Sequence, residues 1–400
     1  MPSKREYPDW LKAFVTYASY SEAPVKSLWW AGVSAIAGAL QRSVWIDQGL
    51  FQIYPNFFIV INGPAGKVKK STIINLALSR LKGVEGINFA PDSTTWEGLI
   101  QLMEELHKTE QDLTDDMDAK FTRTIPITIA APEFSVFIDF EDHAKVSALT
   151  ALWDCPEYFD KHTKFSGHEK LEKPWINLIG GTTPSWIKAS FNHWTREGGF
   201  ASRCIWLHEL QKSKAVPWLQ DVLPKDFRVT EQRLTEDLSY ITRLSGPFQI
   251  TPEAKEFESV RYHTHHNMML EGLEIKLGGF QDRKQVHILK TAMVISAGRG
   301  DSMVIDLDCI RDAATKVDEA EQDMLRTFAV VDERMDLLPY RELRSRLERD
   351  KVLELNKVFT ILGGRFNYNE IHQALSVIRS QDDIAIEIGL KGTFLRLKEE

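Results

Sequence analysis

The chain has 400 residues, of which 43% are hydrophobic, and its formal net charge is −8. A chain of this length can bury a large core and is expected to form two or three units rather than one. The negative charge excludes a surface that is basic overall, so any contact with nucleic acid would be local, in a groove or pore. The three cysteines, Cys155, Cys204 and Cys309, form no CxxC pair, which excludes a cysteine-based zinc site and suits a reducing compartment.

The N-terminal segment MPSKREYPDWLKAF is charged and lacks the apolar region of a secretory signal. The most apolar segment, from Leu28 to Leu40, is too short to span a bilayer and is predicted to be a buried helix. We therefore expect a soluble, cytoplasmic protein that has no membrane partner.

Strands and helices alternate in the first half of the chain. Residues 1–50 are predicted to be helical, with a short strand in SVWIDQG. Apolar, strand-like runs follow at 56–63, 123–134, 174–183 and 202–210. Buried strands separated by helices predict an α/β core with a mostly parallel sheet over residues 51–215. Prolines at 217 and 224 mark a linker, and the pattern from about 230 to 330 is helical.

The last stretch of the chain has a different pattern. A helix at about 352–362 is followed by a Gly-Gly break, and Asn369 is a good N-cap for a second helix. The segment DIAIEIGLKGTFLRL then alternates on both sides of a glycine-containing turn, which predicts a β-hairpin. Two helices and a terminal hairpin are typical of a winged-helix-like domain.

The stretch FFIVINGPAGKVKKSTIINLAL has the strand, glycine-rich turn and helix of a phosphate-binding loop. Such a loop needs backbone N–H groups at a helix N-terminus, a lysine for the phosphates and a hydroxyl for Mg²⁺. The pattern GxxxxGK[ST] nevertheless fails when it is counted from Gly63, because Val68 stands where the second glycine should be.

Two alignments of this loop are possible. Either Lys69 is the phosphate lysine and Lys70 replaces the hydroxyl, or the loop is one residue longer and Lys70 and Ser71 are the working pair. We favour the second alignment, since it keeps the lysine and the hydroxyl adjacent, with Ser71 or Thr72 on the metal. The alternative is an ordinary strand–turn–helix whose lysines are merely solvated. The candidate nucleotide-binding residues here are Gly63, Pro64, Ala65, Gly66, Lys69, Lys70, Ser71 and Thr72.

Acidic and hydroxyl side chains follow the next two strands. Glu133 ends the run IPITIAAPEF, a position suited to a catalytic base, although Pro132 replaces the aspartate that usually precedes it. The run WINLIGGTTP ends in Thr182 and Thr183, of which Thr183 is our catalytic candidate because a polar group there can orient the attacking water. The alternatives are an ordinary carboxylate at a strand end and a simple turn.

The segment TREGGFASR places Arg196 and Arg203 around a Gly-Gly pair. An arginine at a subunit edge can stabilise charge on a neighbour's γ-phosphate, and we select Arg203 for this role. A structural salt bridge is the alternative.

The segment DKHTKFSGHEKLEKPW follows the strand-like run at 123–134, leads into the run at 174–183, and has a Ser-Gly turn in its middle. It predicts a hairpin with a basic tip, like the pore-lining elements of nucleic-acid translocases. A solvated charged loop is the alternative. The candidate DNA-binding residues are Lys161, Lys164, Phe165 and Lys170.

Taken in order, these landmarks resemble those of phage- and prophage-encoded P-loop ATPases that are found among replication genes. The resemblance covers residues 7 to 320 and rests on YPNFFIVINGPAGKVKKST, APEFSVF, LWDCPEYFDKHT, NLIGGTTPSWI, GGFASR and RKQVHILKTAMVISA. It implies an AAA+/RecA-like core that is related to helicases and uses ATP and Mg²⁺. Together with the sequence patterns above, it gives four segments: N-terminal helices (1–50), the ATPase core (51–215), a helical lid (216–332) and the winged-helix-like domain (333–400).

The resemblance also implies roles for particular residues. Gly63, Lys70 and Ser71 would contact the nucleotide, Glu133 would be the base, and Arg203 would act on a neighbouring subunit. In the lid, Arg283 would share a helix face with His287 and Lys290 and would contact the γ-phosphate.

The leading hypothesis is an ATP-driven, helicase-like motor that forms a hexameric ring on single-stranded or forked DNA. It would act in phage or mobile-element replication, in the host cytoplasm if phage-encoded, together with replication partners. An alternative is a DNA-binding initiator or helicase loader that binds nucleotide and hydrolyses it weakly or not at all. A small-molecule kinase is a third possibility, and a monomer in solution would favour it.

Overall fold

The computed structural model describes residues 5–91, 96–112, 125–163, 167–191, 199–270, 279–362, 384–389 and 392–397. The chain divides into two compact units, residues 1–327 and residues 328–400. The predicted boundary at residue 333 falls inside a continuous helix, Leu307–Asp350.

The described helices are α1 (Trp10–Ala18), α2 (Val25–Leu40), α3 (Lys70–Lys82), α4 (Trp96–Asp112), α5 (Phe134–Phe137), α6 (His143–Leu152), α7 (Pro184–Ser190), α8 (Phe200–Arg203), α9 (Phe227–Ile241), α10 (Pro252–Leu270), α11 (Phe280–Arg299), α12 (Leu307–Asp350) and α13 (Leu355–Leu362). The described strands are β1 (Val44–Asp47), β2 (Gln52–Ile53), β3 (Phe58–Asn62), β4 (Ile125–Ala131), β5 (Tyr158–Thr163), β6 (Gly167–Glu172), β7 (Pro174–Thr182), β8 (Cys204–His208), β9 (Gly246–Pro247), β10 (Gln249–Ile250), β11 (Val304–Ile305), β12 (Val352–Glu354), β13 (Ile384–Gly389) and β14 (Gly392–Leu397).

The core of the first unit is a parallel sheet with the strand order β4-β7-β3-β8. Every residue of β3 and of β7 is buried, as expected for central strands that are covered on both faces. Helices α2 and α3 cover one face, where Asn177 donates to the carbonyl oxygen of Ser34. Helix α5 lies on the other face, where a Cβ atom built on Gly180 would approach the ring of Phe134. The predicted α/β core with a parallel sheet is therefore confirmed.

Helix α2 is buried along almost its whole length, as its apolar sequence predicts. Its small residues allow close packing on both sides. A Cβ atom on Gly32 would lie 2.9 Å from the ring of Phe14, and one on Gly38 would meet the side chain of Leu81. Helix α2 thereby joins α1 to α3, the helix that follows the phosphate-loop sequence. Among the described helices, none has the length and apolar character that crossing a bilayer requires.

The second unit contains a three-stranded sheet with the order β12-β14-β13. Strands β13 and β14 pair antiparallel from Ile384↔Leu397 to Gly389↔Gly392, which confirms the predicted hairpin. The predicted helix at 352–362 begins instead as strand β12 and becomes helical at Leu355. The second predicted helix, from Asn369, lies outside the described residues.

Candidate functional site

The segment that joins β3 to α3, residues 63–69, is the phosphate-loop candidate. The backbone N–H of Gly63 donates to the carbonyl oxygen of Thr182, at 3.2 Å. A Cβ atom on Gly63 would lie 2.6 Å from Val68 and 2.7 Å from the backbone oxygen of Glu209, so only glycine fits without a rearrangement. Gly66 has a φ of 71°, in the left-handed region that glycine tolerates best. Pro64 is half-buried, and Ala65 is exposed.

Lys69 occupies the position just before α3 and has φ 62° and ψ 37°. A side chain in this left-handed region costs roughly 1–2 kcal/mol, which is why glycine is favoured there. In the pattern GxxxxGK[ST], the residue before the lysine is a glycine, so Lys69 stands where that glycine would be. Its ammonium nitrogen lies 3.3 Å from the carboxylate of Glu22, so its side chain is already paired.

Lys70 is the first residue of α3 and is 7% exposed. Its ammonium group donates to the carbonyl oxygen of Gly63 at 2.6 Å, across the curve of the loop. Its aliphatic stem packs beside Gly181, since a Cβ atom there would lie 3.1 Å from the Cβ of Lys70. Burial lowers the pKa of Lys70, and the charge of Glu133 acts in the opposite direction. Lys69 and Lys70 are therefore adjacent in sequence but have different surroundings.

The N-terminus of α3 presents polar groups around Lys70. Ser71 and Thr72 are exposed in the first turn. No side chain caps this end of the helix, because Lys69 at the N-cap position makes no capping hydrogen bond. A helix N-terminus carries partial positive charge and free N–H groups, both of which favour an anion.

Glu133 follows β4 at the same edge of the sheet. It is exposed and has an extended backbone, with φ −115° and ψ 96°. The carbonyl oxygen of Pro132 would lie 2.7 Å from a Cβ atom on Gly181, the residue beside which Lys70 packs. The charge of Glu133 acts on Lys70, and Pro132 stands where the usual pattern has a second carboxylate.

The two threonines after β7 have different environments. The hydroxyl of Thr183 accepts from the N–H of Trp186 at 3.3 Å, hydrogen-bonds to Ser185 at 3.0 Å, and so caps α7. Thr182 is 3% exposed, and its hydroxyl has no hydrogen-bond partner among the described residues. The sequence interpretation selected Thr183, whereas the geometry leaves Thr182 as the threonine whose hydroxyl is available.

Arg203 and Arg283 lie together at the opposite edge of the sheet. Arg203 donates to Asp154 at 2.8 Å and to the carbonyl oxygen of Gly199 at 3.1 Å. Arg283 donates to the hydroxyl of Ser202 at 3.2 Å. Burial, followed by the charge of Arg203, lowers the pKa of Arg283. The structure therefore does not bring Arg283 to the phosphate loop of its own chain.

The rest of the predicted lid face is part of the core. Lys290 is 3% exposed, donates to Asn56 at 2.6 Å, and lies 3.6 Å from the centre of the Trp153 ring. Burial lowers its pKa to about 8. His287 is also buried and hydrogen-bonds to the carbonyl oxygen of Ser202 at 3.0 Å. Arg283, His287 and Lys290 do share one face of α11, but His287 and Lys290 are buried in the core of the first unit.

The basic segment forms the hairpin that its sequence predicts. Strands β5 and β6 pair antiparallel from Tyr158↔Glu172 to Thr163↔Gly167. Lys161 lies opposite Glu169, and Lys170 lies opposite Asp160. Lys164 and Phe165, at the predicted tip, lie outside the described residues, as does Arg196.

A cluster of charged residues that the sequence did not predict, Glu22, Lys69 and Lys212, lies beside the phosphate loop. The carboxylate of Glu22 accepts from the Lys212 ammonium at 2.5 Å and from the N–H of Val216 at 3.0 Å, and it pairs with Lys69. The hydrogen bond from Lys212 is the main reason that the pKa of Glu22 falls to about 2. No local spacing signals this cluster, because Glu22 and Lys212 are 190 residues apart in the sequence.

The residues present are compatible with Mg²⁺ held largely by a nucleotide. Among the described residues, no group of three or more histidine, cysteine or acidic side chains could hold a metal ion. Mg²⁺ is commonly bound by one or two protein groups and the substrate phosphates, so such a group is not required. Ser71, the second residue of α3, is exposed and could supply one such group.

No protein-family model matches the chain, and no curated protein matches it either. The resemblance noted from the sequence therefore stays a prediction.

Proposed function

We propose that the chain binds ATP at residues 63–72 and hydrolyses it. The observation that carries this proposal is the buried ammonium group of Lys70, which lies 2.6 Å from the carbonyl oxygen of Gly63. It lies inside a glycine-dependent loop, at the N-terminus of a helix and at the carboxyl edge of a parallel sheet. Ligands of open α/β sheets bind outside that edge, and a helix N-terminus there favours phosphate.

Each nearby group has a role in this proposal. Lys70 binds the β- and γ-phosphates, and the free N–H groups at the N-terminus of α3 donate hydrogen bonds to phosphate oxygens. Ser71 would hold Mg²⁺, which would neutralise part of the phosphate charge when bound. A water oxygen bonds to the γ-phosphorus while the bond from that phosphorus to the bridging oxygen breaks. The water's proton passes to Glu133, and the products are ADP and inorganic phosphate.

The wider proposal is a helicase-like DNA motor that works as a hexameric ring in phage or mobile-element replication. It is supported by the β5–β6 hairpin, whose sequence carries the lysines named above, and by the hairpin of the second unit. In this proposal Arg203 acts on the nucleotide of a neighbouring copy. The assignment beyond ATP binding rests on resemblance and on fold-level analogy.

A second candidate is a nucleotide-binding initiator or helicase loader that hydrolyses ATP weakly or not at all. The observation in its favour is Pro132, which occupies the position of a metal-binding aspartate. Nucleotide binding by the wild-type protein without turnover, with or without DNA, would favour this candidate.

The test uses the adjacent lysines as a matched pair. Binding of a fluorescent ATP analogue and hydrolysis of ATP are measured for wild type, Lys70→Ala and Lys69→Ala, with and without single-stranded DNA. A hydrogen bond to a charged group contributes about 1.5–3 kcal/mol, so Lys70→Ala should weaken binding by about 10- to 100-fold. Lys69→Ala should change it by less than about threefold, since an exposed ion pair contributes little. Equal affinity in the two variants would refute the assignment of Lys70.

Glu133→Gln separates binding from catalysis. The amide keeps the shape of the side chain and cannot accept the water's proton, so we expect normal binding and a loss of turnover of about 100-fold or more. Undiminished hydrolysis would remove Glu133 from the mechanism and leave the binding site intact.

A further inference from the structure

Four polar residues lie at the carboxyl edge of the central sheet, three of them level with one another. In the strand register, Asn62 is level with Thr182 on one side and with His208 on the other. Residues level with each other on neighbouring parallel strands point to the same face and lie about 4.8 Å apart. Strand β4 pairs as far as Ala131↔Gly180, and Glu133 follows its last residue by two positions, at the same carboxyl edge beside β7. We name Glu133, Thr182, Asn62 and His208 the polar row.

The middle of this row is buried and incompletely hydrogen-bonded. Asn62 is 1% exposed, and its side-chain oxygen has no partner among the described residues; the same is true of the hydroxyl of Thr182. The amide nitrogen of Asn62 makes only long contacts, 3.4 Å to His208 Nδ1 and 3.5 Å to the hydroxyl of Thr327. Turning the amide over would move the unpaired atom to its other end and would not remove it. Native proteins rarely leave such buried groups without a ligand or water.

A neighbouring asparagine shows the ordinary arrangement. Asn177 lies on β7 and is also fully buried. Its amide nitrogen donates to the backbone and hydroxyl oxygens of Ser34 at 3.0 and 3.1 Å, and its oxygen accepts from the N–H of Phe57 at 3.3 Å. Asn177 is therefore satisfied by the fold itself, whereas Asn62, which directly precedes Gly63 of the phosphate loop, is not.

His208 gives the Asn62 amide a direction. Burial is the main reason that the pKa of His208 is lowered; Asp323 opposes the shift, and Lys26 and Arg326 favour it. A lowered pKa favours the neutral ring, which can accept through Nδ1 when Nε2 carries the proton. An amide nitrogen directed at His208 and at Thr327 leaves the amide oxygen as an acceptor beside Thr182.

We propose that Asn62 and His208 complete the proposed ATPase site by holding the attacking water between Thr182 and Glu133. The free oxygen of Asn62 and the hydroxyl of Thr182 supply the acceptor and donor that a buried water needs, and Glu133 at the end of the row takes its proton. Asn62 touches the water, while His208 is a positioning residue that acts through Asn62. This inference rests on the proposed function and adds two residues to it.

The experiment compares the same substitution at two buried asparagines. Wild type, Asn62→Leu, Asn177→Leu and His208→Ala are measured for ATP-analogue affinity, turnover and melting temperature, with Lys70→Ala as the binding control. We expect Asn62→Leu to lower turnover at least 10-fold with affinity within about threefold, and to keep or raise the melting temperature, because the lost oxygen has no protein partner. His208→Ala should lower turnover to a smaller extent. Asn177→Leu should lower the melting temperature, because it removes paired hydrogen bonds.

Two results would overturn the inference while the proposed function stands. One is turnover of Asn62→Leu equal to that of wild type. The other is a fall in melting temperature as large as that of Asn177→Leu, with turnover per folded molecule preserved. If Lys70→Ala binds and hydrolyses like wild type, the proposed function fails first and the inference fails with it.

Discussion

His287 should make the first unit sensitive to acid. Its Nε2 atom hydrogen-bonds to the carbonyl oxygen of Ser202 and must therefore carry the proton of the neutral ring. The other nitrogen, Nδ1, is buried without a partner among the described residues, so a second proton there would create an unpaired buried charge. Burial accordingly lowers the pKa of His287 from 6.5 to about 3.

The size of this effect follows from the two pKa values. Because the pKa of the folded state is below that of the unfolded state, the stabilisation is complete above pH 6.5 and is lost as the pH falls towards 3. Each unit of difference between the two pKa values contributes 1.36 kcal/mol, so about 3 kcal/mol is lost by about pH 4.5. This is a large part of the stability of an ordinary domain.

The assay is urea unfolding between about pH 7.5 and pH 4.5, for wild type and His287→Gln. At pH 7.5 the variant should be less stable, since the imidazole packs against the rings of Phe280 and Trp153, with centroids 5.2 and 5.4 Å away. Glutamine can donate to Ser202 and does not titrate, so the difference in unfolding free energy between wild type and variant should narrow by about 3 kcal/mol at pH 4.5. His263→Gln, at an exposed position of α10, is the control and should leave the pH dependence unchanged. A gap that stays constant to within about 1 kcal/mol would refute the reasoning.

Three further predictions concern the loop. Lys69→Gly should keep nucleotide affinity within about threefold and the free energy of unfolding in urea within about 1 kcal/mol. Glycine relieves the left-handed backbone strain, and this gain offsets the greater freedom of the unfolded chain and the loss of the ion pair with Glu22. A large loss of affinity would contradict this prediction. Glu22→Gln should raise nucleotide affinity by up to about fivefold at low salt and by less at high salt, because it releases Lys69 and Lys212 to bind phosphate. Nucleotide titrations at two salt concentrations check this prediction, and weaker binding than wild type would contradict it. Gly63→Ala should lower the free energy of unfolding by about 1–3 kcal/mol, measured by thermal unfolding, and should abolish nucleotide binding. The reason is that the added Cβ atom would lie 2.7 Å from the backbone oxygen of Glu209. Unchanged nucleotide binding would contradict this prediction.

The sheet could be predicted from the sequence because its central strands are buried on both faces. Such strands are continuous apolar runs, and the runs at 56–63 and 174–183 contain β3 and β7. Whether the chain is helical or extended at residue 352 was harder to predict. The residues Val352 to Glu354 are too few to show a period, and they become a strand only because β14 pairs with them, from Val352↔Arg396 to Glu354↔Phe394.

The site was predictable only in part, since side-chain direction depends on backbone conformation. Lys69 and Lys70 are the same residue type and cannot be told apart in the sequence. The left-handed backbone at Lys69 buries the side chain of Lys70 and leaves that of Lys69 paired with Glu22. Likewise, Thr182 ends a strand and Thr183 begins a helix, so that only one hydroxyl is consumed by a cap. Asn62 could not be singled out, because its distinguishing property is the absence of a partner that Asn177 has.

The positions of the two arginines determine how they could act. Arg203 directly precedes β8, whose first residue is level with Phe58 at the start of β3, whereas the phosphate loop begins where β3 ends. The length of β3 separates the two places by on the order of 16 Å. Arg283 contacts Ser202 and is therefore on the same distant edge as Arg203. Neither arginine can contact a nucleotide at the loop of its own chain, so a role for either requires a second copy. Arg203 would then have to leave Asp154, its present partner, which makes ATP-dependent assembly the observation on which the motor hypothesis depends.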